Sequence, residues 1–165
     1  MSGFDDALLK RAALLIERAG ARGTRIATAE SCTGGLVAAL LTEIPGSSKV
    51  VDRGFVTYSN AAKAELLDID PALIETEGAV SKLVAQAMAK GALAASRAQL
   101  SVSVTGVAGP GGGTERKPVG LVHFAGAVDG HVHHVEKRFG DLGRAGIRNA
   151  SVETALGILE QLLER

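Results

Sequence analysis

Between Asp5 and Ala21, apolar side chains recur at Leu8, Ala12, Leu15 and Ala19, and Leu9 and Ile16 widen the stripe. This spacing predicts an amphipathic helix, which Gly20 and Gly23 bring to a stop. The period then shortens. Thr24 to Thr28 is a brief β-type run that enters the polar stretch Thr28-Ala29-Glu30-Ser31-Cys32-Thr33-Gly34-Gly35. Gly35 to Leu41 reads as a buried helix ended by Pro45-Gly46, so the polar stretch joins a strand to a helix. Val50 to Tyr58 is a second strand, Asn60 caps a short helix through Leu67, and Asp70-Pro71 begins another turn. Ser81 opens a long alanine-rich helix to about Arg97.

Leu100 to Val104 is a short apolar strand that runs into a glycine-rich loop, Thr105 to Thr114. Val119 to Val128 and His131 to Phe139 are two strands joined by Asp129-Gly130, the dipeptide expected of a type I′ hairpin turn. Asp141 or a neighbour starts the last helix, where Ile147, Ala150, Thr154, Ala155, Ile158 and Leu162 share one face. Helices between the first strands and a hairpin at the end predict an α/β protein, a three-layer α/β/α sandwich with a mixed, mostly parallel sheet. We expect one domain over residues 1–165, with no internal repeat and no linker.

Composition narrows the function. Of the 165 residues, 46% are hydrophobic, enough for a core at this size. Lys plus Arg and Asp plus Glu both number 18, and no basic run is present, so nucleic acid is not expected as a partner. Only 3% of residues are aromatic, so stacking platforms for bases are scarce. The single cysteine excludes an internal disulfide framework and a multi-cysteine zinc site, and neither metal nor cofactor is expected. The N-terminus carries charges where a signal peptide needs an apolar core, and no apolar run approaches the ~20 residues that span a bilayer. We therefore expect a cytoplasmic protein without a membrane partner.

The polar stretch holds more reactive groups than a turn requires. At a strand-to-helix junction Ser31 is either an ordinary cap or a nucleophile beside free N–H groups that suit an oxyanion, while Gly34 and Gly35 let a substrate approach the backbone. A nucleophilic serine needs a base. The four histidines, His123, His131, His133 and His134, all lie in the C-terminal hairpin, where alternation splits them between faces, and they read as surface residues. Lysine is the other base, provided burial lowers its pKa. Lys63 fits, one turn into the helix after the second strand, and is otherwise a solvated lysine. Tyr58, the only tyrosine, is placed to orient that lysine or pass a proton. Cys32 is either a rival nucleophile, acidified by the helix start, or a small buried side chain.

The loop from Thr105 to Gly120 lacks the Walker ending and the dinucleotide fingerprint. It is either a flexible connection or a cradle of N–H groups, stiffened by Pro110 and charged by Lys117. Arg144 and Arg148, four apart, share a face of the last helix, either solvated or gripping a phosphate.

Taken in order, the stretches Thr28 to Ile69, Glu77 to Ser81 (EGAVS) and Ser103 to Ala125 resemble the CinA C-terminal domain family from about Asp5 to Leu162. AESCTGG and TGVAGPGGG with KPVG carry the resemblance. Stand-alone members of that family, of the PncC type, are nicotinamide-nucleotide amidases. The resemblance implies hydrolysis of the carboxamide of nicotinamide mononucleotide, without metal, by a serine hydrolase site. Ser31 matches the nucleophile, with Lys63 and Tyr58 as activating partners. Thr105, Gly106, Gly109, Gly111, Gly112 and Arg144 match positions for substrate binding. On this reading the developing oxyanion falls on the N–H groups of Cys32, Thr33 and Gly34, and Glu30 faces either the charged ring or a structural task. The partner expected is thus a small nucleotide, with homo-oligomer formation left open. Full-length CinA proteins carry a further N-terminal pyrophosphatase domain, which has no counterpart in this sequence, so that activity is not expected. Two other readings remain: a non-catalytic nucleotide-binding or partner-regulating domain, and a cysteine hydrolase acting through Cys32.

Overall fold

The computed structural model describes residues 2–165. Its elements run α1 (Asp6–Ala21), β1 (Ile26–Glu30), α2 (Leu36–Thr42), a 3-10 turn (Ser47–Lys49), β2 (Val51–Val56), α3 (Asn60–Leu67), α4 (Pro71–Glu77), α5 (Lys82–Ala94), β3 (Leu100–Gly106), β4 (Leu121–Val128), β5 (His131–Arg138) and α6 (Gly143–Leu163). Side-chain caps fix most helix starts. Asp5 accepts from Leu8 N, Ser59 from Ala62 N, Asp70 from Ala72 N and Ser81 from Val84 N. The cap of α3 is therefore Ser59 rather than Asn60, which leaves the Asn60 side chain free of that task.

The strands form one sheet in the order β2-β1-β3-β4-β5. β1 pairs in parallel with both β2 and β3, while β4 runs antiparallel to both β3 and β5. Four strands thus point one way, and the two parallel pairings are matched by two antiparallel ones. Helices α1, α2 and α6 cover one face and α3, α4 and α5 the other, the three-layer arrangement expected. Covered on both sides, β1 is buried along its whole length.

The two faces are packed differently. On the α6 side, Leu15, Leu40, Val102, Phe124, Ile147, Leu156 and Leu159 make a core of large side chains. On the α5 side, Ala85, Ala89, Ala125 and Ala127 bring helix and sheet together closely. The alternation of β3 puts Ser101 and Ser103 there, donating to Ala89 O at 2.7 Å and Ala85 O at 2.6 Å. A small-residue interface of this kind has no use for large aromatics, which explains their scarcity.

Element ends shifted where a hydrogen bond overrode the apolar pattern. Thr24 N bonds back to Ala19 O and closes α1, so β1 begins at Ile26. Asp52 accepts from Arg97 N at 3.0 Å and draws the chain toward β2, so α5 ends at Ala94. The expectation that all four histidines lie on the surface is corrected. His131 and His133 do fall on the opposite face from His123 and His134, but His123 is only 7% exposed, and its Nδ1 lies 2.9 Å from His134 Nε2. Among the described residues no helix is long and apolar enough to cross a membrane, and no group of three or more His, Cys, Asp or Glu side chains converges as metal ligands.

Candidate active site

Strands β1, β2 and β3 are parallel, and the segments leaving their C-terminal ends meet in one crevice. β1 lies between the two strands that follow it in the chain, and this change of direction is where open α/β sheets leave room for ligands. The crevice is a cleft of about 300 Å³ lined by residues from the β1–α2 turn, the β2–α3 segment, the Ala79-Val80 approach to α5, the glycine loop after β3, and the first turn of α6.

At its floor Lys63 reaches back from α3, and its side chain is buried, at 1% exposure. Its Nζ lies 3.0 Å from Ser31 Oγ, 2.9 Å from Thr57 O and 3.4 Å from Tyr58 O. Among the described residues no carboxylate pairs with it. Burial pushes its pKa below the ordinary lysine value, and the neighbouring Cys32 offsets only part of this. The geometry fits a neutral amine atom by atom. Two N–H bonds point at the two carbonyls, which can only accept, and the lone pair remains for the hydroxyl proton of Ser31. Protonated, the same nitrogen still has three acceptors around it. One cage therefore serves both states of a base that must gain and return a proton.

The turn carrying Ser31 is built by Glu30, not by a glycine-lined approach to substrate. Glu30 is fully buried, and its carboxylate accepts from Thr33 Oγ1 at 2.7 Å, Val37 N at 2.8 Å and Ala38 N at 3.0 Å. It thereby satisfies the start of α2, whose own Gly35 cap has no side chain to do so. The side chains of Glu30 and Thr33 do not line the cleft, which corrects the assignment of Glu30 to substrate binding and leaves Thr33 only its backbone N–H to offer. Gly34 is likewise corrected. Its φ of +59° suits glycine, and an added Cβ would lie 3.3 Å from Arg148 Nη2, so its lack of a side chain admits a protein group and not a ligand.

Around that turn the carbonyls are occupied and two amides are not. Ser31 O accepts from Gly34 N, and Thr33 O from Leu36 N. Arg148, half-buried on α6, donates Nε to Cys32 O at 3.2 Å and Nη2 to Thr33 O at 3.3 Å. Ser31 N donates to Val104 O. Among the described residues no backbone or side-chain acceptor outside their own residues takes the N–H groups of Cys32 and Thr33, a pair of donors suited to a developing oxyanion. The Gly34 amide expected in that role is engaged elsewhere. Cys32 is 6% exposed, and burial pushes its thiol up to about 11, outweighing the downward pull of its own backbone N–H, with the Glu30 charge adding to the rise.

Tyr58 lines the cleft but does not touch the base through its phenol. Its side chain is 60% exposed, and its Oη lies 3.1 Å from Arg144 Nη2, while its backbone carbonyl faces Lys63. Arg144 also donates to Gly109 O at 2.8 Å and so ties the glycine loop to the β2–α3 segment across the cleft. Thr105 is nearly buried and donates its hydroxyl to Ala79 O at 2.8 Å. Gly106 and Gly109 line the cleft but are glycines for packing, because a Cβ would meet Val122 and Val119 at 2.7 Å and 2.6 Å. Gly111 and Gly112 form the open rim. Lys117 is anchored to Glu77 O at 2.7 Å. The sequence assigned no cleft role to Asn60, Ala79 and Val80, and marked Val107 and Ala108 only as part of the glycine loop. Ala79 and Val80 sit in the EGAVS stretch, the one signal that marked them.

A family model, the CinA C-terminal domain, matches residues 9–163. A CinA-like protein of Mycobacterium avium (strain 104) is 56% identical over 145 residues, covering 86% of this chain and 33% of the relative. A CinA-like protein of Anaeromyxobacter sp. (strain Fw109-5) is 47% identical over 161 residues, covering 97% and 39%. The chain thus spans about a third of the length of the curated relatives it matches. Among solved structures, the competence/damage inducible protein CihA from Agrobacterium tumefaciens superposes with a TM-score of 0.96 at 52% identity, covering 100% of both chains. A CinA superfamily protein from Escherichia coli gives 0.90 at 33% identity, covering 98% of this chain and 94% of the other.

Proposed function

Because the chain belongs to the CinA C-terminal domain family, we propose that it is an amidohydrolase converting nicotinamide mononucleotide to nicotinate mononucleotide and ammonia. The observation that carries this reading is the 3.0 Å approach of a buried, carboxylate-free Lys63 Nζ to Ser31 Oγ at the floor of a cleft. A serine beside an uncharged amine is an acyl-transfer centre, whatever acyl group it is given.

In this mechanism Lys63 takes the Ser31 proton as Oγ attacks the carboxamide carbon, which the pyridinium ring has made electron-poor. The oxyanion falls toward the amides of Cys32 and Thr33. Lys63 then delivers its proton to the departing nitrogen, and ammonia leaves an acyl ester on Ser31. A water molecule, deprotonated by Lys63, attacks the ester; the proton returns to Ser31 Oγ and the acid is released. No further proton donor is required.

Ammonia release from nicotinamide mononucleotide by the wild type, and its loss in Ser31→Ala, tests the reading. A wild type that binds the mononucleotide but releases no ammonia at any pH would instead be a binding domain.

A further inference from the structure

We infer that Arg148 is a positioning residue for the oxyanion site, acting through the peptide planes of the turn that carries Ser31. The inference rests on the acyl-transfer reading above and extends it to a residue outside the cleft lining.

Gly34 N donates to Ser31 O at 3.0 Å, so residues 31–34 form a β-turn whose central peptide unit joins Cys32 to Thr33. That central unit is the part of a β-turn free to rotate, since the flanking bond does not hold it. In a trans peptide the C=O and N–H point in opposite directions. Arg148 Nε holds Cys32 O at 3.2 Å, so the Thr33 N–H is directed away from α6. The next unit is fixed the same way, because Nη2 holds Thr33 O at 3.3 Å beside the Leu36 N–H. The first unit is held by Gly34. Three successive carbonyls are therefore tied, and what the turn leaves over is donors alone.

Three features of the structure fit this role. Arg148 forms no ion pair among the described residues, so its charge is not neutralised at the turn. Its positive potential reaches the turn, acting to lower the Cys32 thiol against the burial that raises it. Gly34 lacks the side chain that would crowd Nη2. A guanidinium hydrogen-bonded to a carbonyl also polarises that peptide unit and strengthens its N–H as a donor. Lysine cannot reproduce the two-carbonyl grip, since it carries a point charge in place of a planar fork.

Steady-state ammonia release by Arg148→Gln and Arg148→Lys, with product affinity and urea unfolding measured alongside, tests the inference. For Arg148→Gln we expect kcat to fall about a hundredfold with KM and the product Kd held within about threefold. Arg148→Lys should fall less, and in both the acid limb of the kcat/KM profile should stay where the wild type has it, because Lys63 is untouched. Unchanged kcat, a matching loss of product affinity, or a displaced acid limb would overturn it. If Arg148→Gln does not fold, Arg148→Lys decides by the same split. Labelling of Ser31 by a fluorophosphonate separates the two levels of the argument. If the wild type labels but releases no ammonia from the mononucleotide, the substrate assignment fails alone, and slower labelling of Arg148→Lys still supports the positioning role. Labelling as fast as wild type, or a wild type that neither labels nor turns over, sinks it.

Discussion

Lys63 Nζ stands 3.0 Å from Ser31 Oγ, and its two other partners are backbone carbonyls. Nothing near it stabilises the charged form as a carboxylate would. The kcat/KM profile should therefore rise with pH through a Lys63 pKa below the ordinary lysine value and level off before that value is reached. Lys63→Arg should lose about a thousandfold or more in kcat, because a guanidinium does not yield a free base. An acid limb that continued upward to the normal lysine range would show that Lys63 is not the base.

Cys32 sits next to the nucleophile in sequence and lines the same cleft, yet burial holds its thiol near 11. Near neutral pH it is protonated and weakly nucleophilic. Cys32→Ala should keep kcat within about threefold of wild type, and iodoacetamide at neutral pH should leave activity intact. Rapid alkylation of Cys32, read by mass spectrometry together with loss of turnover, would revive the cysteine mechanism.

Short-range chemistry made much of the fold legible. Asp129-Gly130 predicted a type I′ hairpin, and both residues have positive φ, 47° and 74°. Ser81 and the Asp70-Pro71 pair marked true helix starts because a cap acts within three residues. What escaped the sequence depends on contacts it does not display. Glu30 caps a helix from the strand before it, seven and eight residues ahead of the amides it binds, outside any capping spacing. Arg148 meets Cys32 across 116 positions of chain. The glycines at 34, 106 and 109 looked like room for a ligand and are room for the protein itself. At Tyr58 the side chain drew the prediction, whereas the carbonyl faces the base.

Tyr58 offers a test of that last distinction. Its phenol bonds to Arg144, which also holds Gly109 O, so the pair braces the rim of the cleft and not the proton path. Tyr58→Phe removes one exposed hydrogen bond, worth about 1 kcal/mol at most. We expect KM to rise by about fivefold or less with kcat nearly unchanged. A fall in kcat of about a hundredfold with KM constant would instead put the phenol into the chemistry.

Glu30 should matter for stability first. Glu30→Ala strands the amides of Val37 and Ala38 and the hydroxyl of Thr33 in a buried place, at a cost of about 2–4 kcal/mol. Urea unfolding should show the loss directly. A variant as stable as wild type would mean that water or another group already serves those donors.

The base itself should leave a mark on stability that its activity does not report. A lysine whose folded pKa is depressed binds fewer protons in the folded chain than in the unfolded one, from the folded pKa up to the ordinary value of 10.5. Within that window the unfolded state is favoured increasingly as pH falls. Wild type should therefore gain stability relative to Lys63→Met as pH is raised toward 10.5, and below the folded pKa of Lys63 the difference should become flat. Comparing the two proteins removes the titration of every other group, since only position 63 differs. Unsatisfied acceptors at Ser31, Thr57 and Tyr58 in the variant shift the difference by a constant and leave its slope untouched. Urea midpoints at a series of pH values would give the curve. A difference that did not change with pH would mean that Lys63 keeps its ordinary affinity for a proton in the folded protein, and a serine beside a permanently charged ammonium has no base.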